Sequence, residues 1–244
     1  SEIIVIDDGS TDDTAKIAKQ MGCRVISYKQ SMGRGYARRT GVVEALTPFI
    51  LFCDSSNIIT SDFTEVALKQ FRDIKVSACF GRILNHESLS DCLSEWRGQH
   101  LFHQSKKFRQ DIHLVDCLIT YTALLNREHI LNVGNFNPKL KQCEDQDMGR
   151  RLIENNFKII SDPQLVSYSL RHETLSSLFT RYRRWRSQNN DEKNIFSELF
   201  LDLKISYLIF LREDYNKKSY KLVMISLILP FFLFGQRLIS LSRR

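Results

Sequence analysis

The sequence predicts an α/β fold, with a mainly parallel sheet flanked by helices and then a helical, membrane-associating C-terminal segment. Three observations lead there. Short apolar runs stop abruptly at acidic turns, as Ile3, Ile4, Val5 and Ile6 do before Asp7 and Asp8, and as Phe49, Ile50, Leu51 and Phe52 do before Asp54. Stretches with helical spacing alternate with those runs. Near the C-terminus, residues 222–234 carry no charge and lie between basic flanks.

Composition bounds the rest. A chain of 244 residues suits one large domain with a modest appendage rather than two enzymes. With 10 Gly and 4 Pro it lacks the composition of a disordered tract. The net charge of +7 favours anionic company: nucleic acid, anionic lipid or a phosphorylated substrate. The six cysteines include no C-x-x-C pair, which argues against a zinc ribbon or a small disulfide framework and for reduced thiols. The N-terminus lacks the basic and apolar regions of a secretory signal and reads as a chain entered partway through a fold.

Residues 3–6 form the first buried strand, and Asp7-Asp8-Gly9-Ser10 the turn after it. A helix follows, with Ser10 or Thr11 as cap and Asp12 and Asp13 in its first turn. Residues 23–28 are a second strand, completing a β-α-β unit. Gly33-Arg34-Gly35 opens the helix over 36–46, and residues 48–53 are the next buried strand. In open α/β sheets the C-terminal strand ends border the binding crevice, so topology brings Asp7, Asp8 and Asp54 to one rim. Residues 76–80 are a strand and 88–108 a helix with Trp96 and Phe102 as anchors. Strands are expected over 119–125, 157–161 and 165–168. The acids Glu144, Asp145 and Asp147 open a helix.

In this order the motifs resemble inverting family 2 glycosyltransferases of the GT-A fold, entered one strand late. The resemblance rests on Ile3-Ile4-Val5-Ile6-Asp7-Asp8-Gly9-Ser10, Gly33-Arg34-Gly35-Tyr36-Ala37-Arg38-Arg39-Thr40-Gly41, Phe49-Ile50-Leu51-Phe52-Cys53-Asp54, Gly134-Asn135-Phe136 and Glu144-Asp145-Gln146-Asp147-Met148. It implies transfer of a sugar from a nucleotide-diphosphate donor to a hydroxyl acceptor, with Asp145 as catalytic base. It places Asp8, Arg34, Arg38 and Asp54 against the nucleotide sugar, Asp8 by accepting a hydrogen bond from the base. Glu144, Arg184 and Trp185 are assigned to acceptor or diphosphate, the last two within Arg181-Tyr182-Arg183-Arg184-Trp185, which is similar to a Q-x-x-R-W motif. For Mg²⁺ or Mn²⁺ the resemblance offers Asp54 and His172, but Ser56 stands where the family carries a second acid.

The residues alone also admit blander roles. Asp7, Asp8, Glu144 and Asp147 are all suited to capping turns and helices, His172 to a solvated surface, and residues 181–186 to a basic amphipathic helix.

The expected organisation is a catalytic domain over 1–172 with its first strand missing, a basic, aromatic and helical extension over 173–212, and a membrane-associating segment over 213–244. Lys217, Lys218, Lys221 and Arg237 flank the apolar run and suit the anionic cytoplasmic face of a membrane. Partners implied are the nucleotide-sugar donor and a saccharide or lipid-linked acceptor. No nucleic-acid fold signature accompanies the charge. Polysaccharide synthesis is the leading expectation; a catalytically silent, membrane-bound GT-A module is the alternative.

Overall fold

A computed structural model describes residues 2–102, 104, 109–186 and 195–241. The chain forms two compact units, Ser1–Arg82 with Arg109–Ser167, and Ile83–Phe108 with Tyr168–Arg244. This division differs from the expected one. The chain leaves the first unit along a strand, returns, and leaves again, so residues 83–108 share a core with the C-terminal helices, and the expected 173–212 and 213–244 segments fold together.

The first unit opens with β1 (Ile4–Asp7), α1 (Thr14–Gln20) and β2 (Arg24–Ser27). β1 and β2 are parallel, with Val5 opposite Val25, as a β-α-β crossover requires. Next come α2 (Arg34–Glu44), β3 (Phe49–Cys53), β4 (Asn57–Ile59), α3 (Phe63–Lys69) and β5 (Val76–Asn85). After the excursion through α4 (Cys92–His100) the chain adds β6 (His113–Leu114), β7 (Thr122–Asn126), α5 (Arg127–Asn132), α6 (Glu144–Glu154) and β8 (Lys158–Ser169).

The larger sheet has the order β3-β7-β5-β8-β4, with β6 on β8. β7 is antiparallel to both neighbours, pairing Phe52 with Ala123 and Phe80 with Ala123. The sheet is thus mixed rather than mainly parallel. Short buried apolar runs look alike in either direction, and strand direction is set by the connections between them. β7 alternates faces strictly: Ala123 and Leu125 join a core with Phe136, Met148 and Leu152, and Leu124 joins another with Phe63, Val76 and Leu165. β8 runs unbroken where two strands were expected. The Asp162 carboxylate satisfies the polar step in its middle, accepting from the Gln164 amide at 2.8 Å and Gln70 Nε2 at 2.7 Å.

The second unit comprises α4, α7 (Leu175–Arg186), α8 (Ile195–Ile205), a π-helical turn over 206–210, α9 (Leu211–Asn216) and α10 (Tyr220–Leu241). α4 is shorter than the expected helix and starts at Asp91, whose carboxylate accepts from the Leu93 and Ser94 amides at 3.0 Å each. Trp96 is the centre of this core, with Phe179, Tyr182 and Phe210 edge-on to its ring. Leu222, Ile225, Leu229 and Leu233 of α10 close it.

Candidate active site

The first unit gathers its polar groups where β1 and β3 end and α2 and α6 begin. β1 ends at Asp7, buried, whose Oδ1 accepts from the Ser10 amide at 3.0 Å. Hydrogen bonds from the Ser10 hydroxyl first, and then from its amide, hold the Asp7 carboxyl below its usual range. Asp8 spends its carboxylate on the next loop. It accepts from Ser31 Oγ at 2.7 Å, the Met32 amide at 2.7 Å and the Gly33 amide at 2.9 Å. Gly9 makes this approach possible: its φ is +83°, and a Cβ there would sit 2.7 Å from backbone atoms of Gln30 and Ser31.

The same loop starts α2. Gly35 donates to the Leu140 carbonyl at 2.9 Å, and a Cβ on it would meet the Asn137 carbonyl at 2.1 Å. α2 is thereby locked against residues 137–140. Arg34 is exposed on its first turn, whereas Arg38, one turn on, keeps only 13% of its side chain exposed.

Arg38 links the two other edges of the site. Its Nη2 lies 3.5 Å from Asp54 Oδ1, and its Nη1 pairs with Glu144. Burial pulls the Arg38 guanidinium below its usual value, while Asp54 and Asp145 pull it back up. Asp54 heads a tight turn closed by the Asn57 amide on its carbonyl at 2.9 Å.

Glu144 is 1% exposed, so its carboxylate is sealed beneath the site and does not present itself to an acceptor. A carboxylate at that depth requires a cationic partner, and Arg38 supplies it. Asp145 is half-buried on the first turn of α6. Its Oδ1 accepts from the Gln146 amide at 3.0 Å and its Oδ2 from Thr120 Oγ1 at 3.4 Å. α6 begins with Cys143 in the left-handed region, φ 60°, and without a side-chain cap. Burial raises the Cys143 thiol, and Asp145 raises it further.

The turn before α6 is fixed by two arginines. Arg151 donates to the Val133 and Asn135 carbonyls at 2.6 and 2.8 Å, and Arg39 to the Gly134 and Phe136 carbonyls at 3.2 and 3.3 Å. Thr120 and the Arg38–Glu144 pair escaped sequence reasoning, and Arg39 enters it only as part of a motif. A buried Glu beside a buried Arg has no signature in composition or spacing when 106 positions separate them.

His172, Arg184 and Trp185 fall in the second unit. His172 is exposed in the turn leading to α7. Its neighbour Glu173 is a buried hub, taking Arg97 Nη1 at 3.2 Å, Arg181 Nε at 3.0 Å and Arg171 Nε at 3.7 Å. Burial lowers Arg181 to about 10. Arg181, at the Gln position of the Q-x-x-R-W-like stretch, is therefore committed to Glu173. Arg184 is half-buried on the same helix, and the Trp185 side chain lies outside the described residues.

The donor set at Asp54 does not fit a hard divalent cation. It offers one carboxylate already facing a guanidinium, and the Ser56 hydroxyl in place of a second acid. Among the described residues no group of three or more His, Cys, Asp and Glu side chains is placed to hold a metal.

A β-α-β entry with an acidic turn after its first strand, a mixed sheet with β7 inside it, and an acid-led helix tied through Arg38 to the end of β3 define the GT-A fold of glycosyltransferases. Two solved structures share it: a mannosyltransferase of Pyrobaculum calidifontis in complex with GDP-Man and Mn²⁺ (TM-score 0.54, 14% identity, 93% of this chain and 64% of that one) and TarS of S. aureus (TM-score 0.53, 18% identity, 84% and 38%). Residues 1–133 match the sequence profile of glycosyl transferase family 2, and the chain belongs to that family. Among curated proteins it is similar to the poly-beta-1,6-N-acetyl-D-glucosamine synthases of Staphylococcus aureus (strain COL), 24% identical over 191 residues, and of Staphylococcus epidermidis, 22% over the same length. The alignments cover 75% of this chain and 46% of those proteins, so the chain spans about half the length of the curated relatives it matches.

Proposed function

We propose that the chain transfers a sugar, with inversion, from a nucleotide-diphosphate donor to a hydroxyl of a saccharide or lipid-linked acceptor. The product is a cell-surface polysaccharide, assembled at the cytoplasmic face of a membrane. The observation that carries the reading is the arrangement around Arg38: one guanidinium paired with Glu144, the residue before Asp145, and with Asp54 at the end of β3. Family membership and the polysaccharide synthases among the relatives support it. Nucleic acid has no part in it.

In this reading Asp145 takes the proton of the acceptor hydroxyl as that oxygen attacks the anomeric carbon. The new C–O bond forms on the face opposite the diphosphate, whose oxygen departs with the electron pair of the broken bond. Arg34, exposed at the start of α2, meets the charge that accumulates there. Thr120 and the Gln146 amide orient the Asp145 carboxylate, and Arg38 fixes α6 relative to Asp54. The solved mannosyltransferase holds Mn²⁺, but no step here is routed through a metal, because the Asp54 loop lacks the donors for one.

The test is transfer and donor hydrolysis across nucleotide sugars by the wild type and Asp145→Asn. The variant is expected to bind nucleoside diphosphate as the wild type does and to lose about two to four orders of magnitude in turnover. Turnover equal to wild type would remove Asp145 from the role of base. A second reading, a silent module that binds nucleotide or a protein partner, is favoured by Ser56 and by the guanidinium already on Asp54. Under it the wild type binds nucleoside diphosphate and turns over no donor.

A further inference from the structure

Residues Tyr220–Ile239 of α10 are apolar and long enough to cross a bilayer, roughly 30 Å at the helical rise. The packing of the second unit points elsewhere. We infer that α10 lies flat in the headgroup boundary of an anionic bilayer, its axis parallel to the membrane, with the second unit resting on that plane. This deepens the membrane association proposed above and depends on it.

α10 carries two apolar stripes on opposite sides. The inner one, Leu222, Ile225, Leu229 and Leu233, is buried against Trp96, Phe179 and Phe210. The outer one, Tyr220, Met224, Ile228, Phe231, Leu238 and Ile239, is exposed, with Tyr220 at 78% and Phe231 at 61%. Both follow helical spacing, so each is one continuous face. A spanning helix turned toward lipid on all sides has no use for a fixed inner face.

Polar bonds hold the inner face in place. Ser226 Oγ accepts from Trp96 Nε1 at 2.7 Å and donates to Asp214 Oδ2 at 2.6 Å. Asp214 Oδ1 also accepts from Gln99 Nε2 at 2.7 Å and lies 2.8 Å from His100 Nε2. Pro230 has no amide hydrogen, which frees the Ser226 carbonyl four residues earlier, and the Ser206 hydroxyl donates to that oxygen. Drawing α10 away to span a bilayer would strip the Ser226 hydroxyl from both Asp214 Oδ2 and Trp96 Nε1, and would leave the Ser226 carbonyl without Ser206.

Charge agrees with the flat placement. Arg237, which the sequence suggested as a cationic flank, is turned into the unit and pairs with Asp202 at 2.6 Å and Glu198 at 2.9 Å. The outer stripe carries no acid, and Lys217, Lys218 and Lys221 stand exposed at its start, where anionic headgroups would meet them. An apolar face of this extent with cations at its edge fits a bilayer better than a second copy of the same cationic surface.

The experiment places a tryptophan at Met224, Phe231 or Ile239 in the full chain, and records quenching by lipids brominated at graded depths in phosphatidylglycerol-rich vesicles. The wild-type signal is subtracted. All three positions are expected at one shallow depth. In parallel, Phe231→Glu is expected to weaken vesicle binding roughly tenfold or more with an unchanged melting temperature. Position 231 near mid-bilayer with 224 and 239 toward opposite faces would overturn the flat placement while leaving membrane association standing. Failure of the wild type to bind vesicles, or a lipid-free dimer that shields the stripe, would overturn both. None of these outcomes depends on whether sugar transfer is observed.

Discussion

Asp8 illustrates how a residue legible in sequence takes on a different duty in the fold. The resemblance assigns it to the nucleotide base, whereas in the structure three hydrogen bonds tie its carboxylate to residues 31–33. A carboxylate so engaged organises the loop that launches Arg34 and Arg38, and under the proposed function a base would compete with donors already in place. Asp8→Asn removes one acceptor oxygen. It is expected to speed amide exchange at Met32 and Gly33 and to weaken uridine and guanosine diphosphates by similar factors. Hydrogen exchange and calorimetry read both; a change confined to one base would restore Asp8 to base recognition. The motif fixed which residues converge here, because turn chemistry is local. What each one touches depends on partners 23 to 106 residues away, as with Ser31 for Asp8 and Glu144 for Arg38, and spacing carries no record of those.

At the scale of elements, buried strands and the acid-led helix were readable because their periodicity is short-range. The Asn57–Ile59 strand was not: three residues after Asp54-Ser55-Ser56 look like loop, and what holds them is pairing with β8 together with the Asn57 side chain, which donates to the Tyr121 carbonyl at 3.0 Å. α5 offers a test of packing between elements. His129 places Nδ1 2.7 Å from Ser77 Oγ and stacks on Phe157 at 4.2 Å between centroids. Burial lowers its pKa, so the folded state prefers the neutral ring. A histidine depressed in the folded state contributes stability above its unfolded value of 6.5 and loses it as protonation sets in below. Wild-type melting temperature is therefore expected to fall between pH 7.5 and 5.5 by more than that of His129→Phe. Equal falls in the two proteins would show that another group governs this range.

For the whole molecule, the fold class followed from the alternation of strands and helices, but the partition into units did not. Residues 83–108 and the C-terminal helices look unrelated in sequence; the burial of Trp96 among α7 and α10 and the bonds of Gln99 and His100 to Asp214 join them. Truncation before Lys217 is accordingly expected to cost more than vesicle binding. It strips Leu222, Ile225, Leu229 and Leu233 from the core and the Ser226 hydroxyl from Asp214, so the second unit should lose its cooperative thermal transition and bind a hydrophobic dye. A truncated chain melting as sharply as the full one would show that α10 is dispensable to that core. The discontinuous unit also has a consequence in time. A ribosome adding about 5–20 residues per second releases Trp96 roughly 7–27 s before Leu233. During that interval α4 waits with its indole uncovered, and its escape from aggregation falls to chaperones or to the speed with which α7 arrives.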